Sequence, residues 1–279
     1  MTPSSRVAAG GASIPVIGYG TWPLKGDECV RGVEAALACG YRHIDTAAMY
    51  QNEAEVGEGL RASGVPRDDV WITTKVWWED ISDGALQRSA ERSLRQLGID
   101  QLDLLIIHWP NKAIPLSESI RALNDAKRRG LTRHIGVSNF PSRMLDEAVA
   151  LSGEPIVMNQ CEYHPYLDQS KVLAACRRHG VAFASYCPLG RGSTGGVLLD
   201  PVVQDIARRV GRTPAQVVLR WHIQQPGVIP IPKSANPKRI AENFAIFDFE
   251  LSEDDMRRLS SLARPDGRIV TMSVAPEWD

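Results

Sequence analysis

The stretch Gly40-Tyr41-Arg42-His43-Ile44-Asp45-Thr46-Ala47-Ala48-Met49-Tyr50 decides how this chain is read. Residues 41–45 form a short strand-like run that closes on a carboxylate. Just upstream, residues 27–39 carry Val30, Val33 and Leu37 at the spacing of one helical face. Asp27 is placed to cap the start of that helix, and Gly40 to take the left-handed position past its end. A helix that leads straight into a strand is half of a parallel α/β unit, so the next question is whether the unit returns.

It does, along the whole chain. Residues 70–75 read as a strand, and Leu86, Ala90, Leu94 and Leu97 mark a helix that stops at Gly98. Residues 102–107 are almost unbroken apolar, the pattern of a strand covered on both faces. The helix after them carries Leu116, Ile120 and Leu123 and stops at Gly130. Further strands fit 134–137, 156–159, 181–186 and 228–231, with helices at 141–151, 168–179, 214–224 and 237–243. Gly64 and Gly180 follow helical segments in the same way. With 16–19 as a first strand there are eight strand–helix units. That number and length predict an α/β chain folded as a (β/α)8 TIM barrel, one domain over residues 1–279. An open doubly wound sheet is the structural rival; the even units and the lack of a linker favour closure. Two pieces lie outside the count. Residues 6–8 and 13–15 flank Gly10-Gly11, a two-glycine hairpin signal suited to plugging the barrel bottom. Residues 251–262 form an extra C-terminal helix, followed by a tail.

Composition narrows the function. The chain has 279 residues and a formal net charge of -1 from 32 basic and 33 acidic residues, so no long-range field exists to capture nucleic acid or a membrane. The five cysteines include no CxxC pair, which predicts neither a metal site nor a disulfide framework and favours a reducing, cytoplasmic setting. The N-terminus lacks the charged start and apolar run of a signal peptide, and no apolar stretch is long enough for a transmembrane helix.

Polar residues gather where the predicted strands end, which in a barrel is the catalytic face. Asp45, Lys75, His108, Ser138-Asn139, Gln160, Tyr186 and Lys233 all sit there. Singly, each has a bland reading. Asp45 and Lys75 would serve as a buried ion pair, itself weak evidence of stability; His108 as a hydrogen-bonded core residue; Tyr50 as packing. Together at one rim they match carbonyl reduction, which needs a hydride on carbon and a proton on oxygen. Tyrosine, with a pKa of about 10, donates poorly at neutral pH. A nearby ammonium lowers that pKa, so Lys75 is expected to tune Tyr50 downward, with Asp45 holding the lysine and His108 orienting the substrate oxygen.

These residues carry a resemblance. The run from Gly40 to Tyr50, with Glu53 and Val56-Gly57 beyond it, resembles the signature of the aldo-keto reductases. ITTKVW around Lys75, HWP at 108–110, GVSNF at 136–140 and IPKSANPKRIAENF at 231–244 are similar to further segments of that family, in the same order. The resemblance runs from about Ile14 to Leu262 and is nearest the bacterial 2,5-diketo-D-gluconate reductase branch. It implies NADPH-dependent reduction of aldehydes and ketones, with Asp45, Tyr50, Lys75 and His108 as the catalytic tetrad and Tyr50 the proton donor. It implies that Ser138, Asn139 and Gln160, beside Asp45, hold the nicotinamide carboxamide and that Tyr186 stacks on its ring. Gly20, Thr21, Cys187, Pro188, Leu189, Gly190 and Ile231 would line the cofactor. Lys233, Ser234 and Arg239 would bind the 2′-phosphate, with Ala235 and Asn236 also at the cofactor, and Glu242 and Asn243 the adenine. Two cations and a hydroxyl by a helix start suit a phosphate; without the resemblance, a solvated basic face is the plainer reading.

Gly190-Arg191-Gly192-Ser193-Thr194-Gly195 matches GxGxxG, but no long amphipathic helix opens after it and no strand ends in an acid about 20 residues later, so the dinucleotide motif fails in context. Residues 188–196 read instead as a mobile loop after the seventh strand, resembling the family's clamp over the cofactor pyrophosphate. Trp22, Trp77 and Trp109 fall just past strand ends and are expected to wall the substrate, with Trp78 as a lesser candidate. The short loop and tail resemble versions that favour small or sugar-derived carbonyls, and the resemblance implies a monomer. Two alternatives stay open on the sequence: a non-catalytic NADPH-binding regulatory or structural barrel, and an isomerase whose basic group at 233–239 binds a sugar phosphate.

Overall fold

A computed structural model describes residues 1–190 and 196–279. Two short strands, β1 (Arg6–Ala9) and β2 (Ala12–Pro15), pair antiparallel around Gly10 and Gly11. Both glycines take positive φ, 53° and 84°, as a two-residue hairpin turn requires. Eight parallel strands follow: β3 (Tyr19–Gly20), β4 (His43–Asp45), β5 (Trp71–Val76), β6 (Leu102–Ile107), β7 (Thr132–Ser138), β8 (Ile156–Glu162), β9 (Ala182–Tyr186) and β10 (Val228–Pro230). They lie side by side in chain order. The two outer strands then meet: the amides of Gly18 and Gly20 donate to the carbonyls of Pro230 and Pro232 at 3.0 Å each, which closes the (β/α)8 barrel.

The crossovers are α1 (Gly26–Cys39), α2 (Glu53–Ala62), α3 (Ala85–Leu97), α4 (Leu116–Arg128), α5 (Ser142–Leu151), α6 (Ser170–His179), then α7 (Pro201–Val210) with α8 (Pro214–Ile223), and finally α9 (Pro237–Phe244) after the last strand. A further helix, α10 (Glu253–Ser260), packs against α7 and α8. Thus α7 stands outside the eight repeating units, as α10 does. The start of α1 differs from the sequence expectation. Lys25, not Asp27, occupies the cap position, with no side-chain bond to the helix amides; Asp27 lies in the first turn, where its charge suits the helix dipole. At the other end Gly40 adopts φ 109° and returns its amide to Leu37. Among the described residues no helix is long and apolar enough to cross a membrane.

Strand β6 shows why its sequence is apolar throughout. Leu102, Leu105 and Ile107 join the core under the helices, whereas Leu104 and Ile106 join a second cluster inside the barrel. That inner cluster also takes Ala9, Ala12 and Ile14 from the hairpin, so β1 and β2 stopper the end of the barrel opposite the strand C-termini. The hairpin tip sits close to the start of β8, where a Cβ on Gly10 would lie 3.1 Å from Val157. With the bottom filled, the open end is the one where the polar residues collect.

Candidate active site

Three neighbouring strand ends and one short turn bring the tetrad together. Asp45 ends β4, Lys75 lies near the end of β5, His108 follows β6, and Tyr50 closes a single 3-10 turn, Ala48–Tyr50, held by its amide on Ala47. The Lys75 ammonium spends its three donors on three acceptors: Asp45 Oδ1 at 2.5 Å, the Thr46 carbonyl at 2.8 Å and the Tyr50 hydroxyl oxygen at 3.3 Å. The second oxygen of Asp45 accepts from Gln160 Nε2 at 2.8 Å. The Lys75 side chain is fully buried and Asp45 nearly so, a burial tolerable only because charge and hydrogen bonds are matched.

The electrostatics correct one expectation. Lys75 does not pull Tyr50 below the usual phenol range. Burial pushes the Tyr50 hydroxyl well above it, and the Asp45 charge adds to the rise. Because Asp45 sits against the ammonium at 2.5 Å, much of the lysine's field is already balanced where it reaches Tyr50. Tyr50 is therefore a neutral, proton-bearing acid at pH 7. Burial likewise holds the His108 imidazole well below its ordinary range, with Lys75 acting in the same direction, so the ring is neutral. His108 Nδ1 is buried without a partner among the described residues. Its ring meets Tyr50 edge-on at 5.6 Å and Trp77 at 5.2 Å.

The predicted aromatic wall divides. Trp22 tilts over Tyr50 at 5.1 Å and remains 47% exposed, so it faces the mouth. Trp77 stands beside His108. Trp109 is buried and reaches the surroundings through Trp278, which packs edge-on against it at 6.2 Å. Trp78 makes no ring contact among the described residues; its carbonyl accepts from Asn111 Nδ2.

Next to the tetrad lies a connected polar cluster. Asn139 adopts a left-handed φ of 63° and donates its amide to the His108 carbonyl and to Ser138 Oγ. Its Oδ1 accepts from the Tyr186 hydroxyl. Ser138 Oγ donates to the Gln160 carbonyl at 2.7 Å. Thr21 is turned inward, with amide and hydroxyl both on the Asp45 carbonyl. Gly20 lies against Ile231, where a Cβ would come within 3.1 Å of its side chain. After Tyr186, Cys187 takes φ 49° and accepts at its carbonyl from the Gly190 amide, so Cys187, Pro188, Leu189 and Gly190 form a tight turn. The rest of the GxGxxG match, and most of the loop expected at 188–196, lies outside the described residues.

A third group surrounds the start of α9. Asn236 caps this helix, its Oδ1 accepting from the amides of Lys238 and Arg239, and Ser234 Oγ in turn accepts from the Asn236 amide. Lys233, Ala235, Asn236, Lys238 and Arg239 are exposed, and none of the three cations takes part in an ion pair among the described residues. Three cations without carboxylate partners among the described residues, gathered at a helix N-terminus, have the chemistry a phosphate monoester requires. Glu242 accepts from Thr213 Oγ1, and Asn243 is buried.

Sequence reasoning missed two features. Strand β8 runs on past Asn159 to Glu162. The polar residues after Asn159 suggest a strand end in the sequence, whereas Gln160 and Glu162 continue the alternation into the barrel mouth. Gln160 also braces Asp45, a role that no spacing rule displays.

The chain matches the family model described as the aldo/keto reductase family over residues 16–264. The methylglyoxal reductase DkgB of Escherichia coli O157:H7 is 40% identical over 270 residues, covering 96% of this chain and 100% of that protein. A solved structure of a putative 2,5-diketo-D-gluconic acid reductase B superposes with a TM-score of 0.96 at 48% identity, over 99% of this chain and 98% of that one. A Bombyx mori aldo-keto reductase in complex with NADP matches with a TM-score of 0.86 at 34% identity, covering 94% of this chain and 93% of that one.

Proposed function

This chain belongs to the aldo/keto reductase family and is an NADP-dependent carbonyl reductase, and from that premise we propose that Asp45, Tyr50, Lys75 and His108 carry the reaction on small or sugar-derived aldehydes and ketones. NADPH, when bound, supplies the hydride. The observation that carries the assignment is the Lys75 ammonium lying between the Asp45 carboxylate and the Tyr50 hydroxyl, deep at the open end of the barrel.

In this mechanism Tyr50 gives its hydroxyl proton to the carbonyl oxygen as that oxygen gains charge. The resulting phenolate keeps its contact with the Lys75 ammonium, so the developing charge meets a preorganised cation. Asp45 fixes Lys75 and is itself fixed by Gln160. The neutral His108 ring, edge-on to Tyr50, orients the substrate oxygen. Ser138, Asn139 and Gln160 hold the nicotinamide amide, and Tyr186 flanks the ring. Lys233, Ser234 and Arg239 take the 2′-phosphate, which accounts for a preference for NADPH over NADH; Gly20, Thr21, Cys187, Pro188, Leu189, Gly190, Ile231, Ala235, Asn236, Glu242 and Asn243 line the rest of the cofactor. Trp22, Trp77 and Trp109 bound the substrate. The names of the relatives, methylglyoxal reductase and diketogluconic acid reductase, support a small polar carbonyl.

We read residues 1–279 as one domain acting as a monomer. A reducing compartment such as the cytoplasm suits five cysteines that include no CxxC pair. The test is a panel of keto-sugars, methylglyoxal and aromatic aldehydes with NADPH, following loss of the reduced cofactor. Turnover strongest on the small polar carbonyls is expected; preference for bulky aromatic aldehydes would overturn the substrate reading.

A further inference from the structure

Two residues beyond Gln160 on the same strand, Glu162 is buried without exposed surface. Its partners lie outside the tetrad. Oε1 accepts from His164 Nε2 at 2.9 Å and from the backbone amide of Ile269 at 2.7 Å; Oε2 accepts from the amide of Val270 at 2.8 Å. Both amides belong to the tail after α10. Two successive main-chain N–H groups converging on one carboxylate form a small anion nest turned inward, and they satisfy a charge that would otherwise be costly to bury.

The tail is pinned on either side of this anchor. Before it, the Arg264 amide donates to the Tyr166 carbonyl, and Gly267 passes so near that a Cβ would lie 1.8 Å from the same oxygen. Across it, the guanidinium of Arg268, just before the anchor, lies 3.6 Å from the centre of the Trp278 ring beyond it. The terminal Asp279 side chain accepts from both the amide and the hydroxyl of Ser142 at the start of α5. Between these points Trp278 meets Trp109, which directly follows His108, and Ile269 reaches toward Gly190. The strap therefore crosses the rim of the barrel mouth from the turn after β9 to the strand end that bears His108.

We propose that Glu162 is a positioning residue that sets substrate selectivity: by seating Ile269 and Val270 it holds Trp278 against Trp109 and so fixes the width of the substrate entrance. This deepens the carbonyl-reductase reading of the tetrad and rests on it. Both carboxylate oxygens are needed. In Glu162→Gln one oxygen becomes an NH2 group, so one tail amide meets a donor and the anchor opens, with the side-chain volume unchanged.

The test uses the full-length chain as wild type, E162Q, W278A and the double variant. Trypsin cleavage after Arg268, followed by intact mass, reads the anchor; selectivity is read as the ratio of kcat/KM for 4-nitrobenzaldehyde to that for methylglyoxal, with NADPH. In E162Q the cleavage is expected to quicken about tenfold, as local opening exposes the bond. The ratio is expected to rise about fivefold, with kcat for methylglyoxal within about twofold of wild type. In the W278A background E162Q should leave the ratio unchanged, since both act through one contact. Unchanged cleavage, an unchanged ratio, or the same shift of the ratio in the W278A background would each overturn the proposal. A wild-type enzyme that reduces neither aldehyde would refute the underlying reading of the site, and the inference with it, whatever trypsin shows.

Discussion

The hydroxyl of Tyr186 donates to Oδ1 of Asn139 at 2.8 Å, joining the residue proposed to flank the nicotinamide ring to one proposed to hold its amide. Asn139 is held in a left-handed backbone conformation and both ends of its side chain are engaged. In Tyr186→Phe the ring persists but Asn139 loses one partner. NADPH affinity is expected to fall about three- to tenfold, the net value of one ordinary hydrogen bond. Quenching of protein fluorescence by NADPH measures it, and equal affinity in the two proteins would mean that the bond plays no part in shaping the cofactor site.

Removal of the proton donor tests the tetrad directly. Tyr50→Phe should lower kcat for carbonyl reduction about 10²- to 10⁴-fold, the usual scale of general acid catalysis. NADPH binding should be retained, because the Tyr50 hydroxyl bonds to Lys75 and to none of the groups assigned to the cofactor. A variant with near-normal turnover sinks the assignment.

The phosphate role proposed for the basic cluster at the start of α9 predicts a difference between the two cofactors. Arg239 is exposed and without a carboxylate partner among the described residues. Arg239→Ala should weaken NADPH binding about tenfold or more, the scale of a charge-assisted contact, and leave NADH affinity nearly unchanged. Equal losses for both would remove the phosphate from this site.

Acid should destabilise the fold through buried neutral histidines. Burial lowers His43 to about 3 and His222 to about 4, against about 6.5 in the unfolded chain. Between those values the unfolded state binds the extra protons, so stability rises with pH and is lost as pH falls below about 6.5, at about 1.4 kcal/mol per pH unit for each histidine. Urea titrations from pH 4 to 6 should show a shallower pH slope in His43→Gln than in the parent, by one such increment. An identical slope would mean that His43 carries charge in the folded state.

Helix packing makes its own prediction at Gly57. A Cβ there would lie 2.1 Å from the Leu97 carbonyl oxygen, main chain against main chain. Gly57→Ala must separate α2 from the end of α3, at a cost of about 1–3 kcal/mol, visible as a lowered midpoint in thermal unfolding. A midpoint at or above that of the parent would show that the two helices are not held this closely.

Much of this architecture was legible because two periodicities coexist in the sequence. β6 reads as a buried strand since Leu104 and Ile106 face one core and Leu102, Leu105 and Ile107 the other. The glycines at 40, 98, 130 and 180 announced helix ends through a conformation that other residues take at a cost. The tetrad was legible as types at strand ends. Its protonation was not, since the state of Tyr50 depends first on how deeply its hydroxyl is buried and then on the nearby Asp45 charge, neither of which a sequence displays. Glu162 was illegible for a related reason: its partners in the tail, Ile269 and Val270, are more than a hundred positions away and contribute only their backbone amides, which no side-chain pattern records.

The closure of the barrel has an asymmetry with consequences for how the chain is assembled and how it breathes. Where β3 meets β10, Gly18 and Gly20 donate to Pro230 and Pro232, but prolines have no amide to return. That seam is laced from one side only, helped by the Tyr19 hydroxyl on the Ser234 carbonyl, 215 positions away. Contacts between such distant segments form late, after a long loop has been closed. The first and last strands also lead straight into Gly20-Thr21 and Lys233-Ser234, both assigned to NADPH. A dinucleotide spanning the two would act as a clasp, and the amides of Gly18 and Gly20 should be the barrel positions whose hydrogen exchange slows most when the cofactor enters.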